Sequence, residues 1–198
     1  LLEEGKALNA LGVMAIRVYD LYKAKTYVEE GLKLCRMTGN RREEAYALSS
    51  LCFIMFALGQ YAESEKFLLG ALQIFREVGD TYGVSIDTIM KSILSFIEND
   101  VEESLKLSQE GLEYAQAIGS IDIHAMGLIV RGDALTKQMR WLEASQAYQN
   151  ALELCEGKKW TSWEVNALAG LARIAHHKHD LIKAQRYMHQ ILRYLESY

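Results

Sequence analysis

His176 and His179 stand one helical turn apart in AHHKHD (Ala175–Asp180), with Asp180 beside them. Imidazole and carboxylate are donors that a zinc ion accepts, but a structural zinc takes four ligands and a catalytic one three, rigidly held. The stretch also fits a solvated helix end, where imidazoles meet the negative end of the helix dipole. That reading assigns no metal. EGKKWTS (Glu156–Ser162) has the Gly-Lys and Thr-Ser of a phosphate loop, yet it lacks the leading Gly and follows a helical stretch in place of a strand. G-x-S-x-G, H-E-x-x-H, G-x-G-x-x-G and G-x-x-x-x-G-K-[ST] do not occur. Cys35, Cys52 and Cys155 form no C-x-x-C pair, and an odd number of thiols fits a reduced, cytoplasmic setting. The sequence therefore offers no catalytic group, no cofactor site and no metal site, and the reading is a non-enzyme.

Composition narrows the classes further. The chain has 198 residues, 22 Lys and Arg against 26 Asp and Glu, and a net charge of −4 with both signs interspersed. A nucleic-acid face needs a concentrated basic patch, so direct nucleic-acid binding is not expected. No apolar run reaches the roughly 18 residues of a membrane span. The opening LLEEGKALNA has neither the basic start nor the apolar centre of a secretion signal. It also lacks an initiator Met, and the chain is read as a piece of a longer protein. Pro is absent, and Ala, Leu and Glu are abundant, as nearly continuous helix requires.

The elements follow from self-similarity. The chain repeats at an offset of 40 residues, held five times. Ala24, Ser64, Ser104, Ala144 and Ala184 form a small column. Leu21, Tyr61, Val101, Trp141 and Leu181 form a large apolar one, preceded by Asp20, Gln60, Asp100, Arg140 and Asp180. Gly12, Cys52, Ser92, Gly132 and Ala172 form a second small column. Apolar residues recur at helical spacing in two stretches per repeat, which predicts two amphipathic helices each. Small columns mark close helix contacts, so Ala24, Ala144 and Ala184 are expected to be buried. The polar residue at each internal turn is expected to cap the second helix, with DVEE (Asp100–Glu103) as a capping box. TGN, VGD and IGS separate the repeats, with Gly at the helix end and Asn40, Asp80 or Ser120 capping the next helix. Cys35 and Cys155 share a column with Phe75, Ala115 and Leu195, which asks for an apolar filler. At Trp160 and Trp163 the inter-repeat pattern breaks. Either these two contact a partner, or Trp160 packs on Val165 as a hydrophobic staple beside a Thr161–Glu164 capping box.

This pattern resembles the tetratricopeptide repeat: LNALG (Leu8–Gly12), Leu21, Ala24, Val28 and Gly31, then Leu48, Leu51, GQY (Gly59–Tyr61), Ser64, Leu68 and Ala71. The family's usual repeat is about 34 residues with a closing Pro. Here it is 40 without Pro, like the longer arrays of large bacterial transcriptional regulators and signalling ATPases, and of some eukaryotic adaptors. The resemblance implies an all-α, right-handed superhelical solenoid of five helical hairpins, ten antiparallel helices. It forms a single domain over 1–198 with repeats near 1–40, 41–80, 81–120, 121–160 and 161–198.

The resemblance also implies that the first helix of each hairpin lines a concave groove holding a protein or peptide ligand. By column the positions are Lys6, Asn9, Val13 and Arg17; Tyr46, Ser49, Phe53 and Phe56; Ile86, Ile89, Ile93 and Phe96; Met126, Ile129, Asp133 and Lys137; and Asn166, Ala169, Arg173 and His176. Of these, Arg17, Tyr46, Phe53, Phe56, Ile89, Ile93, Phe96, Ile129, Asp133, Lys137 and Arg173 are the expected partner contacts. Repeat three departs from the motif, with Thr88, Lys91 and Ser92 where others carry Leu and small residues. Its first helix is either rotated or presents an apolar stripe. The expected role is a scaffold, the sensor or adaptor module of a cytoplasmic regulator. Two alternatives stand beside it: a spacer or self-association module joined through its apolar end repeats, and a small-peptide signal receptor.

Overall fold

The structure is a computed structural model, and its description covers residues 1–156, 158 and 161–196, apart from the side chains of Thr161 and Leu195. Among these residues there are ten helices and no strand: α1 (Leu2–Arg17), α2 (Leu21–Met37), α3 (Arg41–Ala57), α4 (Tyr61–Val78), α5 (Thr81–Ile97), α6 (Val101–Ile118), α7 (Ile121–Lys137), α8 (Trp141–Cys155), α9 (Thr161–His177) and α10 (Leu181–Glu196). The helices divide between two compact halves, Leu1–Leu94 and Ser95–Tyr198. Within the first, α1 packs on α2, α2 on α3 and α3 on α4; within the second, α6 packs on α7, α7 on α8, α8 on α9 and α9 on α10. None of the described helices is long and apolar enough to cross a membrane.

Turn chemistry repeats as strictly as the helices. Gly39, Gly79 and Gly119 end their repeats at φ of 67, 68 and 68°, the left-handed conformation that Gly adopts without a Cβ clash. The turn inside each hairpin needs the same conformation, but there only Gly59 is a glycine. Tyr19, Asn99, Met139 and His179 hold φ between 59 and 70°. His179 is thus the strained turn residue of AHHKHD. Side chains of Asp20, Asp100 and Asp180 accept the N–H of Lys23, Glu103 and Lys183, capping α2, α6 and α10. Gln60 and Arg140 make no such bond. Asn40 and Asp80 cap α3 and α5 through Glu43 and Gly83. Ser120 departs from expectation: its hydroxyl donates to Asp122 Oδ1 at 2.5 Å and leaves the helix uncapped. In DVEE the Asp100 N–H donates to Ser95 O at 2.9 Å, so Asp100 supplies the cap without the reciprocal half of a box.

The small columns hold. Ala24, Ser64, Ser104 and Ala144 are fully buried, as are Cys52 and Ser92. Gly12 approaches α2 so closely that an added Cβ would meet Val28 Cγ2 at 2.3 Å. Ala144→Leu forces three extra carbons into the core around Tyr148, and a loss of about 1–3 kcal/mol in chemical denaturation is expected. An unchanged midpoint would mean that repeat four is misregistered. Ala184 corrects the expectation: it is only half-buried, on a helix that packs, among the described residues, on α9 alone.

The thiols are core. Cys35, Cys52 and Cys155 are buried, Cys35 and Cys155 in the column of Phe75 and Ala115 and Cys52 in the small column with Ser92. Burial pushes the Cys52 thiol up to about 12 and the Cys155 thiol to about 11, far from nucleophilic thiolate. Trp163 is half-buried against the core of the second half. The staple expected from Trp160, and the Thr161 side of its capping box, lie outside the described residues.

Candidate functional site

Repeat three settles first, because it decides which residues face outward. Thr88 and Ser92 are buried at 1 % and 0 %, in the columns that Leu48 and Cys52 fill in repeat two. The first helix of repeat three therefore keeps the common register and is not rotated. Its apolar residues then divide. Ile89 is fully buried, while Ile93 is half-buried and packs with Phe53, Phe56 and Phe67 over Cys52, Leu68, Leu72, Met90 and Leu94.

Burial of Ile89 belongs to a general correction. Asn9, Ser49, Ile89 and Ile129 occupy one column and all are buried. The bond from Ser49 Oγ to Asp87 Oδ1, 2.6 Å, shows why: this column points into the seam between successive first helices. Ile89 and Ile129 are core residues, not groove residues. In repeat five the equivalent Ala169 is exposed.

The column four residues on remains accessible: Val13, Phe53, Ile93, Asp133 and Arg173 are exposed or half-buried. In the first half this gives Phe53 and Ile93, with Phe56 one turn further in tilted ring contact with Tyr61, centroids 5.7 Å apart. Arg17 is exposed at the end of α1. Tyr46 is half-buried and already occupied. Its hydroxyl donates to Asp80 Oδ2 at 3.0 Å and its ring meets Phe75 edge-on at 4.9 Å. Asp80 also accepts from Arg42 at 2.8 Å and from the Gly83 N–H at 3.0 Å. Burial pushes the Asp80 carboxyl up, but these three donors hold it below the usual carboxylate range.

In the second half the first-helix face is polar. Lys137 is exposed and its ammonium lies 4.7 Å from the centre of the Phe96 ring, a cation–π contact. Asp133 accepts from the Tyr148 hydroxyl at 2.7 Å and from the Arg173 guanidinium, which also donates to Tyr148 at 3.0 Å. Burial first, and the Asp133 charge next, push the Tyr148 hydroxyl well above its ordinary value, so it remains a donor. The guanidinium is 57 % exposed and keeps donors free for a further acceptor. The sequence pattern gave no sign of this ion pair, since neither its buried tyrosine anchor nor Thr136, 3.3 Å from that hydroxyl, belongs to an outward column.

Chemically this face can bind but assembles no nucleophile with a base. No group of three or more His, Cys, Asp and Glu suited to a metal ion occurs among the described residues.

No family model matches the chain, and none of the curated proteins is significantly similar to it. Solved structures are similar in fold. A signal transduction ATPase with numerous domains, carrying a tetratricopeptide repeat sensor, from Pyrococcus horikoshii matches 97 % of the chain at 18 % identity and a TM-score of 0.78. A Rap protein complexed with Competence and Sporulation Factor matches 99 % at 10 % identity and a TM-score of 0.76. A protein of nearly identical TPR-like repeats from Podosopora anserina matches the whole chain at 11 % identity and a TM-score of 0.69, over 97 % of its own length. The chain spans 29 % of the Pyrococcus protein and 65 % of the Rap protein. Together with the forty-residue columns, these likenesses establish the fold: the chain is a tetratricopeptide-type array of helical hairpins.

Proposed function

We propose that the chain is a non-catalytic binding scaffold that takes a protein or peptide segment on its first-helix faces, as the sensor or adaptor module of a larger cytoplasmic regulator. The observation that carries this reading is the accessible column. Its side chains and those one turn beyond are neither buried as core nor uniformly solvated: Phe53, Phe56 and Ile93 offer half-buried apolar surface, and Lys137, Asp133 and Arg173 offer directed charge. Half-exposed aromatic and guanidinium groups are the side chains that dominate binding energy at interfaces. A scaffold of packed helices presents them with little rearrangement, which favours an extended or helical segment. The sensor role rests on the Pyrococcus protein, in which a similar array serves as the sensor of a signalling ATPase, and on the Rap protein, whose array was captured with a bound factor.

Selection of a displayed random-peptide library on the chain, followed by fluorescence anisotropy of the winners, tests the proposal. Ile93→Ser should weaken selected peptides that dock on the first half, and Lys137→Ala those that dock on the second, about tenfold or more, which is about 1.4 kcal/mol. Lys66→Ala, an exposed residue of α4, should leave them unchanged. Winners indifferent to both face variants, with circular dichroism confirming the fold, would overturn it.

A further inference from the structure

Glu44 of repeat two and Glu164 of repeat five share one column, and both are buried, at 8 % and 7 % exposure. Their surroundings are opposite. Glu44 is neutralised twice: the Arg36 guanidinium, from the second helix of the preceding repeat, donates to Oε1 at 2.9 Å, and Arg41 donates to Oε2 at 2.7 Å. For Glu164 the sequence places Glu156 in the Arg36 column and Thr161 in the Arg41 column. Among the described residues Glu164 forms no ion pair. The Tyr194 hydroxyl hydrogen-bonds to it. Burial first, and the Glu164 charge next, push that hydroxyl and the Cys155 thiol above their ordinary values. Burying a charge is costly unless it is both paired and hydrogen-bonded, and Glu164 has the hydrogen bond without the counter-charge.

Glu164 lines a cleft of about 670 Å³ between α8 and α10, with α9 as its floor. Leu168 and Leu171 make the base apolar, and Tyr187 and Tyr194 add aromatic rings. Around them Glu153 and Glu156 outweigh the one lining cation, Arg193. Walls and floor are all helices of this chain. The equivalent cleft of repeats one and two, with Arg36 in place of Glu156 and Phe67 in place of Tyr187, is about 350 Å³. It stays open although repeat three packs on repeat two through Ser49 and Asp87, so an adjoining repeat does not fill such a cleft.

We propose that the cleft between α8 and α10 binds an arginine side chain of a peptide segment, with Glu164 as its counter-ion. The pairing of Glu44 with Arg36 and Arg41 is the precedent, since it shows which group this buried carboxylate takes. A guanidinium meets a carboxylate through two parallel donors and stacks on tyrosine rings, whereas an ammonium is a point charge. The apolar base takes the methylene stem. The cleft is larger than one side chain needs and falls in the range of about 300–1,000 Å³ for ligand sites, which favours a peptide over free arginine. It shares no residue with the first-helix face.

Isothermal titration of the chain with the blocked tripeptide acetyl-Leu-Arg-Leu-amide tests it. The same peptide with Lys or with citrulline at its centre, and arginine amide alone, are the comparisons. The Arg peptide should bind more tightly than the Lys peptide and arginine amide, and the uncharged citrulline peptide should not bind. Glu164→Gln keeps the shape and removes the charge, and should weaken the Arg peptide about tenfold or more, as loss of a charged hydrogen-bond partner does. Glu156→Arg, at an exposed site, installs the arginine that repeat two carries. It should raise the urea midpoint and abolish peptide binding together. Lys137→Ala should leave this binding unchanged, which keeps the test separate from that of the first-helix face. No saturable binding of the Arg peptide, or equal binding of the citrulline peptide, would overturn the proposal. Equal binding of arginine amide would overturn the peptide as occupant. Should Glu164→Gln lose its helical circular dichroism, Glu156→Arg decides: unchanged peptide binding in that variant overturns the site.

Discussion

Asp87→Ala is expected to stabilise the chain by about 3 kcal/mol at pH 8 and by almost nothing at pH 4. Asp87 sits at 0 % exposure in a column whose other members are Ala7, Ala47, Gly127 and Ala167. One carboxyl oxygen accepts from Ser49 at 2.6 Å, and the other has no partner. Burial pushes its pKa up to about 7, and the single Ser49 bond pulls back only in part. From the ordinary 3.8 to about 7 corresponds to about 4 kcal/mol of differential stability. Loss of the acceptor for Ser49 offsets about 1 kcal/mol. The direction follows from proton counting. Between pH 4 and 7 the folded chain holds a proton that the unfolded chain has released, so this group's contribution falls as pH rises and is flat above 7. Other carboxylates pull the opposite way: Asp80 lies below its ordinary value and loses stability on acidification. The measurement is therefore the difference in denaturation free energy between variant and parent across pH 4 to 8. It should open through that window and then level off. Asp87→Asn keeps the acceptor and the shape, and separates charge from volume. A difference independent of pH, or a variant less stable at pH 8, would show that Asp87 is not the strained acid described here.

The array was legible because one physical constraint is written five times. A hairpin cannot bury its apolar face alone, so each copy must keep small residues where helices touch, and those columns survive when identity does not. Columns also misled. Thr88 and Ser92 are polar where the motif is apolar, and the rule that polar residues face water turned them outward, yet both are buried at the same register as their neighbours. A buried hydroxyl can be satisfied by one bond to backbone, as Ser64 donating to Cys52 O at 2.9 Å shows, whereas the Thr88 hydroxyl is buried with no hydrogen-bond partner. Ile89 and Ile129 misled in the opposite direction. Helical spacing placed them on one face with Ile93 and Asp133, but a first helix packs on its successor over a wider arc than one column. Only the contact between α3 and α5 reveals where the seam ends and the open face begins. Asp87 was invisible for a related reason, since an Asp within a helix reads as solvated unless the column beneath it is compared residue by residue.

Tyr148→Ala is expected to cost about 3–5 kcal/mol, the range for removing a large buried ring from a packed core. Tyr148 is the largest of the fully buried side chains, enclosed by Leu112, Leu135, Ala144, Ala151, Ala167, Leu171 and Ile174. Its ring lies where two glycines make room. A Cβ on Gly132 would fall 2.6 Å from it, and one on Gly170 2.3 Å. Its hydroxyl joins Asp133, Arg173 and Thr136, so ring and hydroxyl do separable work. Tyr148→Phe removes only the hydroxyl and should cost about 1–2 kcal/mol, because the Asp133–Arg173 pair survives it at a partly exposed site. The decisive comparison is a double-mutant cycle with Gly170→Ala. In the parent the new methyl collides with the ring and overpacks the seam, at about 1–3 kcal/mol. In Tyr148→Ala the collision partner is gone, and Ala in mid-helix is worth about 0.8–1 kcal/mol over Gly. Gly170→Ala should therefore destabilise the parent and stabilise the Tyr148→Ala variant, a coupling energy of about 2–4 kcal/mol from one contact between α8 and α9. Additive effects of the two substitutions in urea denaturation would mean that the ring does not lie on Gly170. The stacking of repeat four on repeat five, and the placement of Asp133 and Arg173 on the open face that depends on it, would then have to be redrawn.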